Sequence, residues 1–178
     1  MKKLPLMLGL LAFTTSGATF ADDIDWFVGG TLGYQKNGTD NAGGYDDDDG
    51  VYGVQGGAYL GENHNHRVSL GYSFNESDTP IGHVKLESII ASYDYMVPFT
   101  SNGKWSWFVG PSIASSKVDD NTGSDSAFSW GGQTGVNWQI TEHINTDLGY
   151  RYMSHDFDSD DSVIDDSQQV YMTLNFRF

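Results

Sequence analysis

From Trp26 to the C-terminal Phe178 the sequence alternates apolar and polar residues again and again, and this period of two constrains the fold more than any other feature. A period of two puts every second side chain on one face of an extended strand, whereas a helical face needs a period near 3.6. Eight runs carry it. The first holds Trp26, Val28, Gly30, Leu32 and Tyr34, the second Tyr52, Val54, Gly56, Ala58 and Leu60, and the third Val68, Leu70, Tyr72 and Phe74. The fourth holds Ile89, Ala91, Tyr93, Tyr95 and Val97, and the fifth Trp105, Trp107, Val109, Pro111 and Ile113. Phe128, Trp130, Thr134, Val136, Trp138 and Ile140 make the sixth, and Ile144, Thr146, Leu148, Tyr150 and Tyr152 the seventh. The eighth is Val170, Met172, Leu174, Phe176 and Phe178. The intervening residues are small or polar, as in Ser69, Gly71 and Ser73, or Gln133, Gly135 and Asn137. Glycine doublets such as Gly29-Gly30 and Gly131-Gly132 would weaken a helix interior. The chain is therefore expected to be all-β.

After Phe13 no apolar run approaches the roughly 20 residues of a membrane helix. A chain like this can cross a bilayer only as a closed barrel, which pairs every backbone polar group with a neighbouring strand. The chain has no cysteine, so closed hydrogen bonding or a large core must supply its stability. The connections alternate in length. Short turns fall near Gly61–Asn65, Pro98–Lys104 and Thr141–His143, and longer acidic stretches at Asn37–Gly50, Asn75–Gly82, Asp119–Ser126 and Asp156–Ser167. That alternation predicts an eight-stranded antiparallel up-and-down transmembrane β-barrel, with both termini on the short-turn, periplasmic side.

The first residues read as an export signal: Lys2 and Lys3, an apolar stretch from Leu4 to Phe13, then small residues up to Ala21. Residues 1–21 are expected to be a cleaved signal peptide and 22–178 the barrel domain. Loss of Lys2 and Lys3 moves the formal charge from −15 to −17. A chain so acidic lacks the basic footprint of a nucleic-acid binder.

A soluble ligand-binding barrel alternates too, with its apolar face turned inward. Three features favour the membrane. Trp26, Tyr95, Trp105, Trp107, Trp138, Phe176 and Phe178 fall at the periplasmic end of their runs. Tyr34, Tyr52, Tyr72, Phe74, Phe128, Trp130, Tyr150 and Tyr152 fall at the other end, giving two aromatic girdles. Trp26 to Tyr34 spans about 27 Å along a strand, or roughly 20 Å after tilting, close to the apolar band of such a barrel. Finally, Arg67, Asp94, Asp147, Arg151 and Arg177 share the polar parity and are expected to pair inside a narrow interior plugged by polar side chains, with no wide pore. Val84 and Leu86 sit out of phase with the rest of their run, which predicts a bulge near Ser88 or a stretch above the bilayer.

The last run, Val170-Tyr-Met-Thr-Leu-Asn-Phe-Arg-Phe178, places apolar or aromatic residues at every second position and ends on Phe. It resembles the C-terminal signal of bacterial outer-membrane proteins, carried here by Val170, Met172, Leu174, Phe176 and Phe178. Trp105-Ser-Trp-Phe-Val-Gly110, Gly135-Val-Asn-Trp138 and Leu148-Gly-Tyr-Arg-Tyr152 are similar in layout to central strands of the small outer-membrane β-barrel family that includes the OmpX/Ail proteins and the OmpA barrel. The ending Asn175-Phe-Arg-Phe178 departs from the Gly-Tyr-(Lys/Arg)-Phe close of the Ail-type subgroup, so the resemblance is to the broad family. It implies a non-enzymatic outer-membrane protein, a monomer, in contact with lipopolysaccharide and handled by the barrel-assembly machinery. Its role would lie in envelope integrity, adhesion or resistance.

Chemical motifs are sparse. Asp46–Asp49 and the alternating Asp156, Asp158 and Asp160 offer carboxylates to a hard cation such as Ca²⁺, but the second segment lacks the glycine and final glutamate of an EF-hand loop. The plainer reading is a solvated acidic loop. Ser154, His155 and Asp156 are neighbours, yet adjacent residues in a strand face opposite ways, so no catalytic set and no cofactor is expected. His64 and His66 flank a turn and could share a metal, although two ligands make a poor site. The alternative functions are a lipid-modifying enzyme and a small solute conduit.

Overall fold

The computed structural model describes residues 24–38, 47–61, 63–79, 82–119, 124–156 and 166–178, the side chains of 47–49, 76–79, 82–86, 118–119, 124–127 and 156 aside. The expected signal peptide, residues 1–21, lies outside the described residues. Eight strands follow one another: β1 Ile24–Gly38, β2 Asp47–Leu60, β3 His66–Thr79, β4 Gly82–Pro98, β5 Trp105–Asp119, β6 Ser124–Gln139, β7 Ile144–Asp156 and β8 Asp166–Arg177. Each pairs antiparallel with its sequence neighbour, and β1 pairs with β8 to close the ring.

The register fixes the barrel's shape. Starting at Phe27 and stepping between Cα partners, the path runs through Gly57, Ser69, Ser92, Ser112, Gly131, Met153 and Ser167. It returns to β1 at Asn37, a stagger of ten residues from Phe27 to Asn37. A stagger of that size in eight strands tilts them about 40° and leaves an interior that side chains just fill.

Alternation then sorts the side chains as the sequence predicts. Val28, Leu32, Tyr34, Leu70, Ile89, Leu148 and Leu174 all stand exposed on the outside. Ala58 is an exception, nearly buried between its partners Trp26 and Val68. One girdle is welded by Trp105 and Trp138, whose rings stack 5.2 Å apart, and the other by Tyr52 and Phe74 at 5.8 Å.

Two expectations change. The pairing of β4 with β3 and with β5 keeps one register past Ser88, so there is no bulge there. The phase change falls where β4 continues past the outer aromatics, the second of the two readings that the sequence allows. Likewise β3 runs to Thr79 and β4 starts at Gly82, while β5 reaches Asp119 and β6 starts at Ser124. Much of two expected loops is therefore paired strand, because polar strands remain hydrogen-bonded to each other above the membrane band.

At the other end the turns are tight. Gly61 adopts φ 85° and accepts a 2.8 Å bond at its carbonyl from the His64 amide, a conformation that favours glycine. Inside the barrel, glycine has a different use. A Cβ on Gly149 would lie 2.5 Å from Cζ of Tyr171, whose ring is buried, whereas one on Gly30 would meet nothing within 4 Å. Gly149→Ala is thus expected to cost about 1–3 kcal/mol of unfolding free energy, the usual effect of overpacking. Gly30→Ala should stay within about 0.5 kcal/mol. Equilibrium urea unfolding from lipid vesicles, followed by tryptophan fluorescence, compares the two.

Candidate functional site

The barrel interior concentrates the buried polar chemistry, and its centre is Arg67. Register places Arg67 of β3 directly beside Asp94 of β4, while the curve of the ring brings Asp147 of β7 across from it. The guanidinium meets Asp94 Oδ2 through Nε at 3.0 Å and Nη2 at 2.9 Å, and Asp147 Oδ2 through Nη1 at 2.8 Å. All three side chains are at most 3% exposed. Charges so deep persist only when paired and fully hydrogen-bonded. The two remaining carboxylate oxygens are met by neutral amides, Asp94 Oδ1 accepting from Gln133 at 2.8 Å and Asp147 Oδ1 from Asn137 at 2.7 Å, and Asp147 Oδ2 takes a second bond from Asn175 at 3.1 Å. Phe108 lies under the guanidinium at 4.8 Å from its ring centre, and Phe27, Tyr59, Met96 and Tyr171 complete a buried cluster around it.

The five charged residues do not form one ionic cluster. Arg151 touches no carboxylate among the described residues. Its Nε and Nη2 donate to Gln133 Oε1 at 3.0 and 2.6 Å, its Nη1 to Gln169 at 3.1 Å, and it rests 4.9 Å from the ring centre of Tyr171. Gln133 is therefore a relay, with its nitrogen on Asp94 and its oxygen on Arg151. Arg177 stands apart at the turn-end rim, 3.4 Å from a half-exposed Asp25 that also contacts His64 at 3.1 Å. The stagger separates Arg177 from Arg67 despite their shared parity.

Neutral members were harder to foresee. Gln133, Asn137, Asn145 and Asn175 carry no charge to single them out, though all sit on the inward parity. The aromatic cluster also contradicts an interior of polar side chains alone. Its signal was present: Phe27, Tyr59, Phe108 and Tyr171 interrupt the polar parity, and Gly149 and Gly135 lie opposite rings that need the space.

The remaining candidates separate. Ser154 and His155 face opposite sides of β7. His155 turns inward, where Nδ1 is 2.6 Å from Ser129 Oγ and Nε2 is 2.9 Å from Ser167 Oγ. That couple ties β6, β7 and β8 together, but Ser129 is fully buried and the adjoining cavity is only about 20 Å³, room for a water and no substrate. His64 and His66 also part, His64 toward Asp25 and His66 outward to the Tyr93 hydroxyl at 2.6 Å. Among the described residues no group of three His, Asp or Glu could hold a metal ion. The Asp156 side chain, Asp158 and Asp160 lie outside the described residues, as do the side chains of Asp46–Asp49.

Val170, Met172, Leu174 and Phe176 all face outward on β8, and the Phe178 amide donates to the Trp26 carbonyl at 2.9 Å as the ring closes. This closed, aromatic-belted barrel matches the outer membrane protein β-barrel domain family over residues 6–178. The chain belongs to that family. Membership makes it a bacterial outer-membrane protein, and its exposed apolar face is the lipid-facing one. Among solved structures, Neisserial surface protein A is similar at 20% identity and a TM-score of 0.68, covering 86% of this chain and 97% of its own. Outer membrane protein H of P. aeruginosa gives 20% identity and a TM-score of 0.64, covering 86% and 99%. Ail of Yersinia pestis, solved in complex with the heparin analogue sucrose octasulfate, gives 13% and 0.53, covering 88% and 99%. At these identities the likeness is one of fold. Comparison with curated proteins gives no match.

Within the family barrel, Arg67→Met would leave two buried carboxylates facing each other without a cation. Its expected cost is about 3–5 kcal/mol in vesicle unfolding, against about 1 kcal/mol or less for Asp25→Asn at the exposed rim.

Proposed function

We propose that this protein is a non-enzymatic component of the outer membrane, a sealed scaffold that holds acidic segments outside the cell for envelope integrity, adhesion or resistance. One observation carries the reading. Arg67, Asp94 and Asp147, with the buried rings of Phe27, Tyr59 and Phe108, pack together across the barrel interior toward the turn end. A packed interior disfavours a conduit, and Ser129, the hydroxyl bonded to His155, is fully buried, which disfavours a lipid hydrolase. What the barrel can present is its far rim.

Short turns lie at the end that holds Ile24 and Phe178, which in outer-membrane barrels is the periplasmic end. The acidic stretches around Asp46–Asp49 and Asp156–Asp161 then project outward. Ail was solved with a polyanion, but a surface this acidic repels lipopolysaccharide and other polyanions unless divalent cations bridge them. The partners we infer are lipopolysaccharide through such cations, and the barrel-assembly machinery during insertion, with the protein a monomer.

The test is complementation of a deletion strain with a version in which the aspartates of both stretches are changed to Asn. The variant is expected to insert normally, show no discrete conductance steps in planar bilayers, and fail to restore the lost barrier or adhesion phenotype. Full restoration by the Asn version would remove the acidic rim from the function, and unitary conductance in the parent protein would move the reading to a conduit.

A further inference from the structure

Below the Arg67 cluster, at the turn end, the barrel opens into a vestibule of about 180 Å³ that the sealed-scaffold reading does not use. That volume holds about six waters or one ring-sized molecule. We propose that it is a binding pocket for a small hydroxylated carboxylate, gripped by Asn137, Asn145 and Arg177.

The argument begins with two buried amides whose orientation the neighbouring network fixes. Asn145 Oδ1 accepts three bonds, from Tyr59 Oη at 3.3 Å, Asn137 Nδ2 at 3.1 Å and Asn175 Nδ2 at 2.9 Å. Its nitrogen is therefore the end turned away from the network, and it donates to no described residue. Asn137 is fixed the other way round: its Nδ2 serves both Asn145 and Asp147, so its Oδ1 is left as an open acceptor. Both residues line the vestibule, and both are more than nine-tenths buried. The two amides, bonded to each other, leave one donor and one acceptor, the pair that a hydroxyl needs.

The mouth of the vestibule supplies the charge. Arg177 uses Nε for the Glu142 carbonyl at 3.1 Å and for Asp25 at 3.4 Å and lies 5.7 Å from the Tyr59 ring centre, while its two terminal nitrogens donate to no described residue. A guanidinium edge of that kind takes a carboxylate in a planar, two-point contact. Ser106 and Gln139 add neutral hydrogen-bonding groups to the walls, while Met96 gives an apolar side. A ligand with a hydroxyl at one end and a carboxylate at the other satisfies both poles. Nucleotides and lipids exceed the volume. With the orientation proposed above, the vestibule opens to the periplasm, so the ligand arrives from there.

The experiment titrates the full chain, refolded in detergent micelles, with lactate, with propionate and with chloride at matched ionic strength. Side-chain NMR signals of Asn137, Asn145 and the Arg177 Nε–H are the readout. Saturable millimolar binding of lactate is expected, several-fold tighter than propionate, with no saturation by chloride. Arg177→Lys, which keeps the charge but loses the planar contact, should weaken lactate about tenfold. Linear drift without saturation, equal responses to lactate and propionate, or an unchanged Arg177→Lys variant would each make the vestibule a water-filled mouth. The lactate and propionate comparison decides even where the variant does not refold, and none of these outcomes bears on the acidic rim.

Discussion

Backbone closure is the constraint on which the rest of this molecule depends. In hydrocarbon an unpaired amide or carbonyl costs several kcal/mol, so a sheet can live there only without edges. Here the edges vanish where β1 meets β8, in a continuous ladder from Phe27 opposite Arg177 to Gly38 opposite Asp166. Closing eight strands with a ten-residue stagger fixes the radius, and the radius decides what the interior can hold. Around Arg67 the interior is narrow enough that side chains from opposite strands meet, as Arg67 of β3 meets Asp147 of β7.

That crowding explains the chemistry inside. Inward parity admits polar residues, because the outward parity must face lipid, yet the narrow bore strips them of water. The molecule resolves this by pairing its deepest charges: one arginine lies between two aspartates, whose oxygens also accept from Gln133, Asn137 and Asn175. Aromatic rings fill what the network leaves open, and glycines such as Gly149 make room for them. The second arginine, Arg151, is tied to Asp94 through Gln133, so charges of opposite sign balance across the two levels without direct contact. The packed interior is thus a by-product of satisfying buried charge in a small ring.

Much of this was legible in the sequence because period-two alternation acts on every strand at once. Strand number and outward-facing residues such as Leu32 and Leu174 follow from it, since one face had to be apolar throughout. Partnership inside the barrel was less legible. Parity told which residues point inward, but the stagger, which alternation does not encode, decides that Arg67 meets Asp147 while Arg177 meets Asp25. Neutral relays such as Gln133 gave no signal, because an amide on the inward face looks the same whether or not it bridges two charges. Strand ends were misjudged for a related reason: above the lipid band, polar strands go on pairing with no burial pattern to mark them.

The native chain has no cysteine, so the closure can be read directly by crosslinking. Thr31 of β1 and Thr173 of β8 are register partners whose hydroxyls lie 3.0 Å apart inside the barrel. A Thr31→Cys, Thr173→Cys variant, inserted and oxidised, is expected to form an internal disulfide in high yield, seen as a reductant-sensitive shift on denaturing gels. Thr31→Cys with Met172→Cys, one residue away but on the opposite face, is expected to form little. Equal yields from the two pairs, or none from the first, would contradict a ring closed in this register.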